Sequence, residues 1–128
     1  MGVVVLQTNP IARAAIGGAI EVHRTLGPGL LEAAYRRSLE RELQLRGLSC
    51  QLEVPLPVTY KGADVNCGYR LDFLVEKQLV IEVKSVEHLL PIHAAQVITY
   101  LRLSGAKQAL LINFNVPRLI DGLRSFLA

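Results

Sequence analysis

Three ionisable side chains stand where a chain folding for stability alone would place apolar ones. Asp72 interrupts the apolar run "YRLDFLV", and Glu82 and Lys84 interrupt "LVIEVKS". Side chains alternate faces along a strand, so Val80, Glu82 and Lys84 share one face while Leu79, Ile81 and Val83 form the other, apolar one. The plain reading is a half-solvated strand whose outer face carries an ion pair, contributing roughly 0 to 1 kcal/mol. The chemical reading is a site that sets an anion for a metal beside a cation for a developing charge. Two carboxylates and a lysine shared by two strands suit a hard divalent ion, magnesium or manganese, which keeps waters and can activate one.

Register separates convergence from coincidence. "NCGYRLDFLVE" and "QLVIEVKSV" read as two strands of an antiparallel hairpin with the turn around Glu76 and Lys77. Asp72 lies opposite Glu82 when Val75 pairs with Leu79, leaving Glu76, Lys77 and Gln78 as the turn. A slip of one residue would put the two acids on opposite faces. A buried carboxylate needs a partner, and either Lys84 or a metal would supply it.

The elements that must hold these residues follow from periodicity. Apolar positions Ile16, Ala19, Ile20 and His23 recur at helical steps from about Ile11 to Leu26, and "GPG" stops that helix. A second helix runs from Leu30 to about Arg46 with Leu31, Ala34, Tyr35, Leu39 and Leu43 as its stripe, and Gly47 is its natural end. "CQLEVPLPVTY" then reads as an extended segment whose prolines suit an edge or broken strand, and "KGAD" as a turn. Pro91 opens a helix that reaches about Ser104, with Ile92, Ala95, Ile98, Tyr100 and Leu101 apolar and Gly105 beyond it. "AKQALLINF" reads as a last, largely buried strand and "PRLIDGLRSFL" as a short terminal helix. The order is two helices, a three-strand meander, a helix, a strand and a helix, which is mixed α/β.

Composition narrows the class. The chain has 128 residues, 51% hydrophobic and 20% charged, the make-up of one globular domain over 1–128, without low-complexity segments or repeats. The opening "MGVVVLQTNP" has too short an apolar run, and no basic flank, for a signal peptide or membrane span, so a cytoplasmic location without membrane association is expected. Cys50 and Cys67 lack the spacing of a metal or disulfide framework and read as reduced. A net charge of +3 and a pI of about 9.1 tolerate a polyanionic partner without requiring one.

An acid on one strand followed by Glu-X-Lys on the next resembles the signature of the PD-(D/E)XK nuclease superfamily, with "LDFLV" and "IEVKS" carrying the match; Leu71 stands where the leading proline would be. "GLLEAAY", through Gly29, Glu32 and Tyr35, is similar to the motif of the small GxxExxY family placed within that superfamily. "QVITY" is similar to the Gln-xxx-Tyr motif of RecB-like exonucleases, with Gln96 and Tyr100 one helical turn apart. The resemblance implies a restriction-endonuclease-like core, a central mixed sheet flanked by helices, and hydrolysis of phosphodiester bonds in nucleic acid, with DNA favoured over RNA. It further implies that Asp72 and Glu82 bind Mg²⁺ or Mn²⁺ together with the main-chain carbonyl of Val83. Glu32 would reach the metal directly or through water, Lys84 would position the attacking water or stabilise phosphate charge, and Gln96 and Tyr100 would orient Lys84 or contact the nucleic-acid backbone.

Ordinary roles compete with several of these. Glu32 could simply pair with Arg36 on a helix surface, Tyr35 and Tyr100 could be core aromatics, and Gln96 a surface glutamine. His23, His88 and His93 show no metal-like spacing and read as structural or surface residues, though His93 could face phosphate. Two other functions remain open: a non-catalytic nucleic-acid-binding module that keeps the fold, and an oligomeric interaction protein whose apolar surface is a homo-oligomer interface.

Overall fold

Asn9 begins the first helix, α1 (Pro10–Leu26): its side chain accepts from the N–H groups of Ile11 (2.9 Å) and Ala12 (3.3 Å), and Pro10 takes the first helical position, where an N–H would lack a partner anyway. The computed structural model describes residues 9–65 and 67–128. The expectation for the opening "MGVVVLQT" and for Asn66, at the start of "NCGYRLDFLVE", therefore lies outside the described residues. Next come α2 (Glu32–Leu45), β1 (Cys50–Pro55), a small hairpin of β2 (Thr59–Tyr60) and β3 (Ala63–Asp64), β4 (Arg70–Val75) and β5 (Leu79–Lys84). The chain continues through α3 (Pro91–Ser104), β6 (Gln108–Asn113), a 3₁₀ turn (Leu119–Gly122) and β7 (Leu123–Leu127).

Five strands form one mixed sheet in the order β1-β4-β5-β6-β7. β5 and β6 run parallel, with α3 as the crossover that parallel strands require, and the other pairs are antiparallel. β1, with its proline, lies at an edge, and "KGAD" turns the small β2–β3 hairpin, both as the sequence suggests. Helices α1 and α2 cover one face through a core of Ala12, Ala15, Ala19, Tyr35, Leu39 and Leu43 against Phe73, Ile81 and Val83. The opposite face is covered by α3, where Val97, Tyr100 and Leu101 pack on Leu71, Val80 and Leu111. Gly18 lets the two N-terminal helices approach closely, since a Cβ there would lie 3.3 Å from both Glu42 and Leu43 side-chain atoms. Among the described residues, no helix is long and apolar enough to cross a membrane.

Two expectations need correction. The C-terminal segment is not a helix: it makes a 3₁₀ turn and then β7, which pairs with β6 from Ile112↔Leu123 to Gln108↔Leu127. Every residue of β6 is buried, so its backbone needs a neighbour on each side, and that tertiary demand overrides the helical reading of "PRLIDGLRSFL". The helical stripes are also narrower than spacing suggests. Ile20, Leu31, Ile92, Ala95 and Ile98 are exposed: α1 packs through small alanines, Leu31 caps α2 from outside, and Ile92 and Ala95 of α3 line an open cleft.

The junction of the 3₁₀ turn and β7 gives the first test. A Cβ on Gly122 would sit 2.1 Å from the carbonyl oxygen of Asn113, a backbone atom that cannot yield without moving β6. Gly122→Ala is expected to lower stability by more than about 2 kcal/mol in urea denaturation, and an unchanged midpoint would contradict this packing.

Candidate active site

The register required for convergence is present: Val75 pairs with Leu79, Leu74 with Val80 and Phe73 with Ile81. At the next position, where Asp72 faces Glu82, side chains take over from the backbone ladder. The Asp72 N–H donates to Glu82 Oε2 (2.9 Å), and the Val83 N–H donates to Asp72 Oδ2 (2.9 Å). The two strands thus part where the acids stand, and each acid satisfies a backbone donor that the ladder leaves open. These bonds take one oxygen from each carboxylate.

The half-solvated strand is excluded, because β5 is buried from Leu79 to Val83 and Glu82 is only 4% exposed. Burial, and then the neighbouring charge of Asp72, push the Glu82 carboxyl up to about 8. Burial also raises Asp72, opposed by the Val83 N–H and by the charges of Arg36 and Lys84. Without a cation, the pair is therefore costly to ionise fully.

The other expected site residues surround this pair. Lys84 is half-buried at the end of β5, and its charge favours the ionised form of both acids. Glu32, in the first turn of α2, forms an ion pair with Arg36 (2.7 Å), yet its charge is felt at both Asp72 and Glu82, so the surface pairing and proximity to the site coexist. On α3, Gln96 Nε2 donates to the Tyr100 hydroxyl (3.0 Å). Burial and the charge of Glu82 raise the Tyr100 phenol, so it stays a protonated donor at neutral pH. Arg36, read from sequence only as a partner for Glu32, lines a cleft of about 300 Å³ together with Asp72 and Arg37.

A set of polar contacts that the sequence reading missed fixes the loops at this end of the sheet. Asn113 is 2% exposed; its side chain accepts from Val86 N–H (3.0 Å) and donates to the Val86 carbonyl (2.9 Å). Asn115 accepts from Gly29 N–H (3.1 Å), and the Ser85 hydroxyl donates to the Leu30 carbonyl (2.6 Å). Tyr35 stacks on Phe114 at 4.6 Å, and its hydroxyl donates to the Gly27 carbonyl (2.5 Å) while accepting from Leu30 N–H (3.1 Å). In "GLLEAAY", then, Gly29 (φ +99°) and Tyr35 shape the loop that starts α2, and Glu32 is the member left for chemistry. A lone asparagine ending the apolar run "ALLIN" was the available signal.

Whether these residues suit a divalent metal is decided by the donor set. Among the described residues, no group of three or more His, Cys, Asp or Glu side chains gathers as a metal cluster. Two carboxylates and oxygen from main chain, water and phosphate nonetheless match Mg²⁺, an ion commonly held by one or two carboxylates. A cation here would also relieve the repulsion that raises Glu82, so the residues fit the ion.

The raised Glu82 carboxyl fixes a pH dependence. Between 4.5, the ordinary value, and about 8, the folded protein keeps a proton that the unfolded chain releases, so this stabilisation is complete below 4.5 and is lost as pH rises through about 8. In EDTA, urea denaturation should show wild type losing on the order of a few kcal/mol relative to Glu82→Gln between pH 5 and pH 9. Parallel pH profiles for the two proteins would contradict the burial of this acid.

A family model for the PD-(D/E)XK nuclease superfamily matches residues 9–126. No curated protein and no solved structure matches the chain significantly. The matched span contains the five-stranded sheet except Leu127, including both strands that carry Asp72, Glu82 and Lys84, and with this mixed sheet flanked by helices the chain belongs to the PD-(D/E)XK nuclease superfamily.

Proposed function

We propose that the protein is a Mg²⁺- or Mn²⁺-dependent nuclease that hydrolyses phosphodiester bonds in nucleic acid, with DNA the favoured substrate. The observation that carries this reading is the pair of half-buried Asp72 and buried Glu82, tied by reciprocal hydrogen bonds to main-chain N–H groups where the β4–β5 ladder opens. Asp72 and Glu82 would hold the ion with the Val83 carbonyl, and Glu32 would reach it through water. When bound, the ion polarises the phosphate and lowers the pKa of a coordinated water.

The chain's own groups supply the rest. The Lys84 ammonium, at the end of β5, orients the attacking water and offsets charge that builds on the phosphate oxygens as the new P–O bond forms and the old one breaks. The Tyr100 hydroxyl, held by Gln96, stays protonated and donates toward the same region or to the backbone of the bound strand. Arg36 and Arg37 are the cationic groups beside Asp72 available to flanking phosphates, in a cleft that Glu40 and Glu53 also line. "GLLEAAY" supports placement within the GxxExxY group, because the structure gives Gly29 and Tyr35 loop-shaping roles and leaves Glu32 near the acids.

The test is cleavage of labelled DNA and RNA oligonucleotides with Mg²⁺, Mn²⁺ or EDTA. Wild type should cleave only with metal, and Asp72→Asn, Glu82→Gln and Lys84→Ala should each reduce the rate by about 10²- to 10³-fold. Salt-dependent binding without metal-dependent cleavage would replace this reading with a non-catalytic binding module.

A further inference from the structure

One cleft shares Lys84, Gln96 and Tyr100 with the proposed hydrolytic machinery, and the rest of its lining has no part in hydrolysis itself. It measures about 760 Å³, opens between α3 and the segment around the β2–β3 hairpin, and includes Lys84 and Tyr100 in its lining. Leu56, Val58, Ile92 and Leu103 form apolar walls. Tyr69, 47% exposed, meets Tyr100 edge to face with ring centroids 6.3 Å apart. Lys84, His93 and Arg102 supply the lining's basic side chains, and among its described residues there is no acid. His93 Nδ1 accepts the Leu90 N–H (2.9 Å), which leaves the neutral ring's proton on Nε2 as a donor.

We propose that this cleft is a subsite for an unpaired nucleobase of the substrate strand, which makes single-stranded nucleic acid, or a duplex with an unpaired end, the preferred substrate class. The inference rests on the nuclease reading above for the reaction but not for the binding. Apolar walls and an exposed tyrosine suit the flat face of a base, and the basic lining suits the phosphates that flank it. A base inside an intact duplex is stacked and paired, and entering the cleft would require unstacking it. Lys84 lines the cleft and stands two residues from Glu82 on β5, so a strand seated on Tyr69 would lie next to the acid site.

The experiment measures fluorescence anisotropy of the full chain in EDTA, with a dye-labelled single-stranded DNA dodecamer and with the blunt duplex of the same sequence. Hydrolysis of bis(p-nitrophenyl) phosphate, too small to need the cleft, is followed separately with Mn²⁺. The single strand should bind at least about tenfold more tightly than the duplex. Tyr69→Ala should weaken single-strand binding by about tenfold, the scale of one stacked base, while Tyr69→Phe keeps it. Ala95→Glu, which places an acid in the lining at an exposed helical position, should weaken it comparably and guards against a folding defect in the Tyr69 variant. Equal binding of single strand and duplex, or wild-type binding by both Tyr69→Ala and Ala95→Glu, overturns the subsite. Tyr69-dependent binding without hydrolysis of the small diester retains the subsite and removes the nuclease, whereas hydrolysis with binding that neither Tyr69→Ala nor Ala95→Glu weakens does the reverse.

Discussion

The structure around the candidate site depends on the exchange of hydrogen bonds between Asp72 and Glu82 across the open end of the β4–β5 ladder. Each carboxylate accepts a main-chain N–H from the opposite strand, Asp72 from Val83 and Glu82 from Asp72 itself. An antiparallel pair that separates normally exposes unpaired backbone donors to water or to a cost of burial. Here the acids fill that gap, so the strands can part while remaining tied. The arrangement sets one carboxylate on buried β5 and the other on half-buried β4, and it raises the Glu82 carboxyl because burial and the second charge act together.

Several otherwise unrelated features follow from holding that opening in place. β5 must be fixed on its other side, which β6 does through parallel pairing from Leu79↔Gln108 to Lys84↔Asn113. The loops beyond both strands are tied by Asn113 to Val86, by Asn115 to Gly29 and by Ser85 to Leu30. Tyr35, stacked on Phe114, closes the α1–α2 loop and so sets where Glu32 begins its helix. β7 covers the far edge of β6, which completes the sheet around a strand with no exposed residue.

Much of this was legible in the sequence, and the misses have physical reasons. Asp72, Glu82 and Lys84 stood out because isolated charges in apolar strands are costly, and the requirement that the acids meet singled out one hairpin register, which the structure has. Gln96 and Tyr100 were legible as an i,i+4 pair, and the structure joins them by a hydrogen bond. The terminal strand was missed because β7 exists to satisfy the backbone of β6, a demand that local periodicity does not encode, although Gly122 argued against an uninterrupted helix. The outward faces of Ile92 and Ala95 were missed because a helix beside a cleft keeps an apolar surface without burying it. Asn113 and Asn115 were missed because their partners are loop backbones distant in sequence.

The central claim is that Asp72 and Glu82 form a divalent-metal site. Calorimetric titration of Mn²⁺ into wild type and Asp72→Asn, with circular dichroism confirming that both are folded, tests it most directly. The account predicts saturable binding to one site in wild type that disappears in Asp72→Asn. No binding by wild type even with an oligonucleotide present, or undiminished binding by Asp72→Asn, would contradict it and reduce the pair to a means of closing the end of a β-ladder.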